Sequence, residues 1–214
     1  MKIAVVGASG MVGSRVVTEA VRRGHDVTAV FRGEVPAIAD GVRAVRGDAT
    51  DRELMSDLLS GVGGAVVATR PRPGQESTTG PTTTALLDAA LAARTRMIVV
   101  GGAAPLRTPG GTGLVLDDNR YVPTHIRSIA AASVSQLDAC RAHPADWVYL
   151  SPPALLEPGV RTGTYRRGRD VLLTDVSSAS WISVEDLAVA VVDELERPGA
   201  DRHFTVGHSG PGSG

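Results

Sequence analysis

The chain has 214 residues, a length that suits one domain with a single buried core. Its residues are 43% hydrophobic and 21% charged, with a formal net charge of −1, which excludes a disordered chain and a polybasic nucleic-acid binder. The single cysteine, Cys140, excludes an internal disulfide and a cysteine-based zinc cluster, and it indicates a reducing, cytoplasmic location. No apolar stretch approaches the length of a membrane span.

Lysine is almost absent from the chain. Lys2 is the only lysine, so the remaining 21 of the 22 lysines and arginines are arginines. This bias is typical of a GC-rich, bacterial gene. Lys2 begins the first predicted strand. No lysine is therefore available for a Schiff base, a phosphate-binding loop or a proton relay.

Strand and helix patterns alternate along the chain. Short runs of apolar, β-branched residues predict strands, and apolar residues spaced three and four apart predict helices. Strands are predicted over 2–6, 26–31, 42–45, 64–69, 97–100, 147–150, 171–174 and 204–206, and helices over 11–23, 51–59, 82–94, 124–141 and 183–196. This alternation predicts an α/β fold: a single-domain, Rossmann-type doubly wound parallel sheet with helices on both faces, over residues 1–206.

Two long segments, 102–123 and 151–170, lack periodicity and are predicted to form substrate loops, since long loops in compact domains often carry function. Four arginines in the second loop either recruit an anionic group as a lid or simply face solvent; they are Arg161, Arg166, Arg167 and Arg169. Residues 207–214 are predicted to be a disordered tail.

Three glycines, Gly7, Gly10 and Gly13, separate the first strand from the first helix with the spacing G-x-x-G-x-x-G. The first glycine allows a tight turn, the second lets the backbone approach a pyrophosphate, and the third lets the helix pack closely on the strand. The helix start presents free N–H groups and the positive end of its dipole to an anion. This context, with a strand before and a helix after, predicts a dinucleotide-binding loop.

The end of the second strand predicts which nucleotide binds. NAD enzymes usually carry an acidic residue there for the ribose 2′-hydroxyl, whereas this chain has Arg32, whose guanidinium suits a 2′-phosphate. The sequence therefore predicts NADP(H) in preference to NAD(H). Arg15 is a second candidate for the same phosphate. Asp48 is either an acceptor for the adenine amino group, a turn residue, or both.

These features resemble the atypical short-chain dehydrogenase/reductases. The glycine loop, Arg32, the Gly47-Asp48 turn, the end of strand four at 66–69 and the Gly101-Gly102-Ala103 turn are similar to the NAD(P)H-binding, NmrA-like proteins and the flavin/biliverdin-IXβ reductases. The segments 149–152, 163–166 and 182–188 extend the resemblance over most of the chain.

The resemblance implies a set of residues that contact the cofactor. It places Gly7, Ser9, Gly10, Met11 and Val12 at the pyrophosphate, Arg32 at the 2′-phosphate, Asp48 and Ala49 near adenine, Thr69 and Arg70 along the ribose and phosphates, and the segment 151–154, including Ser151 and Pro152, near the nicotinamide.

The chain departs from the larger superfamily at the proton relay. That superfamily uses a serine after strand five and a Tyr-x-x-x-Lys pair, but the loop here lacks the serine and the chain lacks the lysine. Tyr121 and His125 are the nearest substitutes as acid/base residues, although each also fits a purely structural position. Asp118 is a further candidate base or a solvated turn residue.

The sequence thus predicts an NADP(H)-dependent reductase that transfers a hydride between nicotinamide and a small organic acceptor: a flavin, a quinone or a carbonyl compound. The alternatives are a non-redox isomerase, epimerase or cyclase on the same fold, and a non-catalytic, NADP(H)-sensing regulator of the NmrA-like type. The partner is expected to be a small molecule, with no metal, membrane or nucleic acid, and the protein a monomer or homodimer.

Overall fold

Strands and helices alternate through the structure, a computed structural model that describes residues 1–36 and 41–209. The strands are β1 (Lys2–Val6), β2 (Asp26–Phe31), β3 (Val42–Arg46), β4 (Gly64–Val67), β5 (Met97–Val100), β6 (Trp147–Ser151), β7 (Leu155–Glu157), β8 (Tyr165–Gly168), β9 (Trp181–Ser183) and β10 (His203–His208). The helices are α1 (Met11–Arg22), α2 (Arg52–Leu59), α3 (Thr79–Ala93), α4 (Arg127–Arg141) and α5 (Val184–Glu196).

Eight strands form one sheet in the order β3-β2-β1-β4-β5-β6-β10-β8. All neighbours pair in parallel except β8, which runs antiparallel to β10 at the edge. The first six positions have the Rossmann strand order: β2 and β3 lie on one side of β1, and β4, β5 and β6 lie on the other, so the order of the strands reverses between β1 and β4. The predicted α/β fold is confirmed.

Helices cover both faces of this sheet because its central strands are apolar on both sides. Ile3 and Val5 face a core beneath α1 and α5, whereas Ala4 and Val6 face a second core beneath α2, α3 and α4. Alternate side chains of a strand point to opposite faces, so a strand buried on both faces is apolar at every position. Because the strands are parallel, their carboxyl ends lie together at one edge of the sheet.

Several predictions in the last third of the chain were wrong. The segment 151–170 contains β7 and β8, and β9 was missed; β7 and β9 form a separate two-stranded parallel ladder. Strand β8 is polar and lies at the sheet edge, so it carries no apolar pattern. Only Val171 of the predicted strand 171–174 pairs, in an isolated bridge to Arg107. Strand β10 reaches His208, past the predicted tail start at Gly207, and residues 210–214 lie outside the described ranges.

Helix α3 begins at Thr79, three residues before the predicted start. Pro81 lies in its first turn, where a missing N–H costs nothing because that group has no intrahelical partner. Residues 51 and 183 stand just outside their helices as N-caps: Asp51 accepts from Leu54 N, and Ser183 accepts from Asp186 N, both at 3.1 Å.

A buried carboxylate on α1 holds the loop that precedes β8. Glu19 has only 4% of its side chain exposed and accepts hydrogen bonds from Arg22, Arg23 and Arg161 at 2.7–2.9 Å. Burial disfavours the charged form of Glu19, but the three guanidinium groups outweigh it and hold the pKa of the carboxyl well below its ordinary value. Glu19 is therefore ionised at neutral pH and fastens the loop to α1 through Arg161.

Replacing this carboxylate is expected to destabilise the protein at neutral pH. Glu19→Gln leaves three arginines without their shared acceptor, which should lower the free energy of unfolding by about 3 kcal/mol at pH 7. Because the native pKa is depressed, the stabilisation is present above the unfolded-state value of 4.5 and is lost as the pH falls below it. Urea unfolding at pH 7 and pH 3.5 should show a smaller difference between the two proteins at the lower pH.

The exposed carboxylate of Glu53 on α2 provides the matched control. Glu53→Gln should change the free energy of unfolding by less than about 0.5 kcal/mol at either pH. An equal loss in both variants would contradict the role assigned to the Glu19 cluster.

Candidate functional site

Two cavities lie side by side beyond the carboxyl ends of the strands. The first has a volume of about 390 Å³ and lies over β1, β2 and β4; the second, of about 380 Å³, lies over β4 and β5. Both are lined by Gly10, Ala68, Thr69, Arg70, Pro71 and Thr79. The two cavities therefore form one cleft across the point where strand order reverses, which is where ligands bind in open α/β sheets.

The glycine loop at the centre of this cleft requires glycine for steric reasons. Gly7 has φ +89°, and a Cβ there would lie 2.5 Å from the carbonyl oxygen of Ala68. A Cβ on Gly13 would overlap the carbonyl oxygen of Gly7 and come within 3.1 Å of Ala8 Cα. Side chains at these positions would separate α1 from β1 and β4, so the loop can hold its shape only without them.

The start of α1 leaves its backbone donors free for an anion. Gly10 is the N-cap with an extended backbone, and no side chain caps the helix. The first helical hydrogen bond runs from Ser14 N to Gly10 O at 3.0 Å, so the N–H groups of Met11, Val12 and Gly13 have no partner within the helix. Free donors at the positive end of a helix dipole suit a pyrophosphate.

A positive and a negative group stand at the far end of the first cavity. Arg32, exposed just after β2, lines it and forms no ion pair within the described residues. Asp48 also lines it, and its Oδ1 accepts from Thr50 N at 2.9 Å and Thr50 Oγ1 at 2.7 Å. Those hydrogen bonds, with the positive charges of Arg32 and Arg72, lower the pKa of Asp48. Asp48 is thus a turn residue and a cavity residue together.

Thr79 supplies a further sign that the cleft is built for a polar ligand. The residue is 9% exposed and lines both cavities, and within the described chain its Oγ1 is buried without a hydrogen-bond partner. A buried hydroxyl without a partner is unfavourable unless a ligand completes it. Together with the side-chain-free glycine loop and the uncapped helix, it shows that these residues fit a dinucleotide that spans both cavities.

The second cavity is largely apolar, with polar groups at a few points. Its walls come from small residues after β5, from α4 and from the start of β7; among them are Gly101, Gly102, Ala103, Ala130, Ala154 and Leu156. The polar side chains on its wall are those of Thr69, Arg70, Thr79, Tyr121, Ser133 and Gln136. Among the described residues, no carboxylate, histidine or cysteine is part of this lining, and Tyr121 contributes its one phenolic hydroxyl.

The cleft collects most of the predicted site residues. Those in the first cavity are Gly7, Ser9, Gly10, Arg32, Asp48, Ala49, Thr69 and Arg70, and Met11, Val12 and Tyr121 lie in the second. His125 is exposed and lines neither cavity, so the structure does not bring it together with the other predicted site residues.

Ser151 and Pro152 are likewise not among the residues that line the cleft. Both are buried and line neither cavity, and Ser151 Oγ lies 2.9 Å from Nε2 of His203 within the sheet. Burial lowers the pKa of His203 to about 4, so this pair is a neutral packing contact. Strand β6 ends at Ser151, and the chain reaches the second cavity only at Ala154.

The remaining charged candidates are committed to other partners. Arg15 pairs with Glu185 at 3.2 Å and does not reach the first cavity, and Asp118 pairs with Arg120 at 2.6 Å outside the second. The four arginines of the second loop, for which an anion lid and a solvent-facing loop were the alternatives, all have protein partners. They pair with Glu19 (Arg161), with the carbonyls of Thr174 and His208 (Arg166), with Glu194 (Arg167) and with Asp201 (Arg169).

Sequence reasoning missed three polar residues of the second cavity, Thr79, Ser133 and Gln136, because no motif marks them. A polar residue on the buried stripe of α4 was the available signal for Gln136, since buried polar groups need a partner.

Comparison with known proteins agrees with this geometry. The chain belongs to the NAD(P)H-binding family, whose model matches residues 7–198. It is 33% identical over 210 residues to the uncharacterized protein YwnB of Bacillus subtilis, covering 96% of this chain and 98% of that one. The predicted membership of an NAD(P)H-binding family is confirmed.

Two of the solved structures that are similar to this chain cover almost all of it. A protein of Streptococcus pneumoniae assigned as a candidate NADH-flavin reductase has a TM-score of 0.88 at 29% identity, with 98% of this chain and all (100%) of that one covered. A candidate epimerase of Bacteroides thetaiotaomicron has a TM-score of 0.86 at 32% identity, with coverage of 98% and 97%. Both structures share the fold of this chain, and the reactions in their names differ.

Two general properties of the structure complete the site description. Across residues 1–36 and 41–209, no three His, Cys, Asp or Glu side chains lie close enough together to hold a metal ion. Within the same ranges, no helix has both the length and the apolar character needed to cross a membrane.

Proposed function

We propose that this protein is an NADP(H)-dependent reductase that passes a hydride to a flat, conjugated organic acceptor. The continuous cleft carries this proposal: an anion-binding glycine loop and Arg32 lie at one end, and a largely apolar cavity lies at the other. Bound NADPH supplies the hydride at nicotinamide C4. The protein's own contribution is to hold donor and acceptor face to face in a site from which apolar walls exclude water.

The lining of the second cavity favours a conjugated ring over a simple carbonyl compound. A simple carbonyl needs a proton donor as the hydride arrives, whereas a quinone or flavin ring delocalises the added charge and can take its proton from solvent. Among the described residues that line this cavity, the Tyr121 phenol is the only candidate for an enzyme-bound general acid. The hydride from NADPH would bring one hydrogen and both electrons to the acceptor, and water would supply the one proton that completes the reduction.

A panel of acceptors tests the reductase proposal directly. NADPH oxidation should proceed with menadione or riboflavin and be slow with small aldehydes and ketones. Tight NADPH binding without oxidation by any acceptor would contradict the proposal and favour a nucleotide-sensing protein. Conversion of a substrate without net NADPH consumption would favour an epimerase, which the Tyr121 hydroxyl beside the cofactor cleft and the Bacteroides neighbour make the second candidate.

Removing the tyrosine hydroxyl tests whether Tyr121 supplies a proton to a conjugated acceptor. Tyr121→Phe should leave kcat with menadione unchanged, because solvent supplies the proton, and His125→Ala should also leave it unchanged, because His125 lies outside the cavity. Removal of a true general acid lowers the rate by roughly 100-fold or more. Steady-state kinetics of the two variants would show such a loss if the proton came from either side chain.

We extend the proposal to the protein's surroundings. Cys140 is buried, and burial raises the pKa of its thiol to about 12, so it is an unreactive packing residue in keeping with a cytoplasmic protein. A monomer or homodimer is the proposed assembly, which sedimentation at micromolar concentration would measure. Cell fractionation would test the location.

A further inference from the structure

The second cavity opens between aliphatic side chains that remain in contact with solvent. Met11 and Ile126 both line this cavity, and they are 43% and 36% exposed. Val12, Ile129 and Leu156 line it as well and are only partly buried. An exposed aliphatic side chain forgoes the free energy that burial would supply, so a group of them around one cavity indicates a surface that a ligand covers.

These aliphatic side chains face the cavity from opposite sides. Helix α1, which carries Met11 and Val12, packs on one face of the sheet, whereas α4, which carries Ile129, packs on the other. Ile126 is the N-cap residue of α4. Between the two helices, the floor of the cavity consists of the small residues 101–104 that follow β5. The cavity therefore has room at the sheet and large aliphatic side chains at its opening.

The chemistry of this opening defines the ligand group that it suits. Among the described residues of the lining, Tyr121 is the one aromatic side chain and Arg70 the one charged side chain, and Arg70 also lines the first cavity. Ser133 and Gln136 lie one and two turns beyond Ile129 along α4, away from the opening. A charged or polyhydroxylated chain would lose its hydrogen bonds to water there with few partners in return. A saturated hydrocarbon chain would bury its own surface and that of the protein together.

We propose that the acceptor carries a saturated aliphatic chain on its conjugated ring, and that this chain lies in the opening of the second cavity against Ile126 and Met11. This inference rests on the proposed function, because it assigns the acceptor ring to the second cavity. It names an alkyl-substituted quinone as the acceptor class. A flavin fits the opening less well, because its ring carries a polyhydroxylated ribityl chain.

Two naphthoquinones of equal size test this inference without turnover. 2-Butyl-1,4-naphthoquinone and 2-(3-hydroxypropyl)-1,4-naphthoquinone have the same number of heavy atoms and differ only in the last group of the chain, and saturating NADP⁺ prevents reduction. The wild-type protein should bind the butyl compound about tenfold more tightly, because a buried methyl group gains free energy and a buried hydroxyl without a partner loses it. Equal dissociation constants for the two ligands would overturn the proposal.

Ile126→Thr keeps the β-branched shape of an exposed side chain and replaces part of its aliphatic surface with a hydroxyl. It should reduce the preference for the butyl compound to about threefold or less. Leu155→Thr is the matched control: Leu155 is 49% exposed and adjoins Leu156 in β7, but it lines neither cavity, so the preference should keep its wild-type value. A folded Ile126→Thr protein with the full tenfold preference would overturn the assignment.

Lumiflavin and riboflavin extend the test to a second ring system. They share one ring and differ in its chain, which is a methyl group in lumiflavin and a ribityl chain in riboflavin. Lumiflavin should bind more tightly, and tighter binding of riboflavin would overturn the proposal by assigning the opening to a polyhydroxylated chain. Menadione-dependent NADPH oxidation is measured separately. Its failure would overturn the proposed function, whereas the ratio of the two naphthoquinone dissociation constants needs no turnover and decides the role of the opening.

Discussion

Replacing Gly10 by valine is expected to weaken NADPH binding by at least about 100-fold while the protein remains folded. The backbone at Gly10 has φ −73° and ψ 164°, a conformation open to any residue. A Cβ there would lie 3.3 Å from Gly7 O and 3.7 Å from Ala68 O and otherwise meet no atom within 4 Å, so the branched side chain would occupy the cleft itself. Fluorescence titration of NADPH measures the loss.

The expected magnitude follows from the loss of two hydrogen bonds to the phosphates. The added methyl groups would keep the phosphates from the free N–H groups of Met11 and Val12, and each hydrogen bond to a charged group is worth about 1.5–3 kcal/mol. Losing two such bonds corresponds to about a hundredfold or more in Kd. The matched control is Gly113→Val, in a loop outside both cavities where an added Cβ meets no atom within 4 Å. Equal NADPH affinity in the two variants would contradict the assignment of the glycine loop.

Arg32→Ala is expected to lower the affinity for NADPH by roughly 10–100-fold and to leave the affinity for NADH unchanged. The guanidinium lines the first cavity and, within the described residues, pairs with no carboxylate, so it is available to a 2′-phosphate. A charge-assisted hydrogen bond of this kind contributes about 1.5–3 kcal/mol. The ratio of the two dissociation constants is the decisive quantity, because general damage to the cleft would weaken both cofactors equally.

The neighbouring strand provides the control for charge alone. Arg43 is exposed on β3 and lines neither cavity, so Arg43→Ala removes the same positive charge without touching the cleft. Its NADPH to NADH ratio should match that of the wild-type protein. If the wild-type protein binds NADH as tightly as NADPH, the preference proposed for Arg32 is wrong.

Most of the fold was predictable because its signals are local. Fully apolar runs such as β1 and the helical spacing of α1 reveal strands and helices buried within the sheet. Failures fell where pairing, rather than composition, creates the strand. Strand β8 (Tyr165–Gly168) carries two adjacent arginines and no apolar run, and its strand pairing is with β10 at the sheet edge.

The same division applies to the cleft. Gly7, Gly10, Gly13 and Arg32 were predictable because a glycine loop between a strand and a helix imposes its geometry over a few residues. Positions near the acceptor were harder, since the loops after β5 and β6 carry no fixed spacing. Ser151 was expected there by resemblance, but its side chain contacts His203 inside the sheet, and Ala154 lines the cavity instead.

The sequence by itself determined the α/β class, the nucleotide-binding loop and the lack of a lysine-based proton relay, because each depends on residue type and short-range spacing. Only the tertiary structure decided which side chains line the second cavity. Tyr121, Ser133 and Gln136 come together there from a loop and a helix. Such contacts arise from how the elements pack, and packing brings together residues that no local pattern relates.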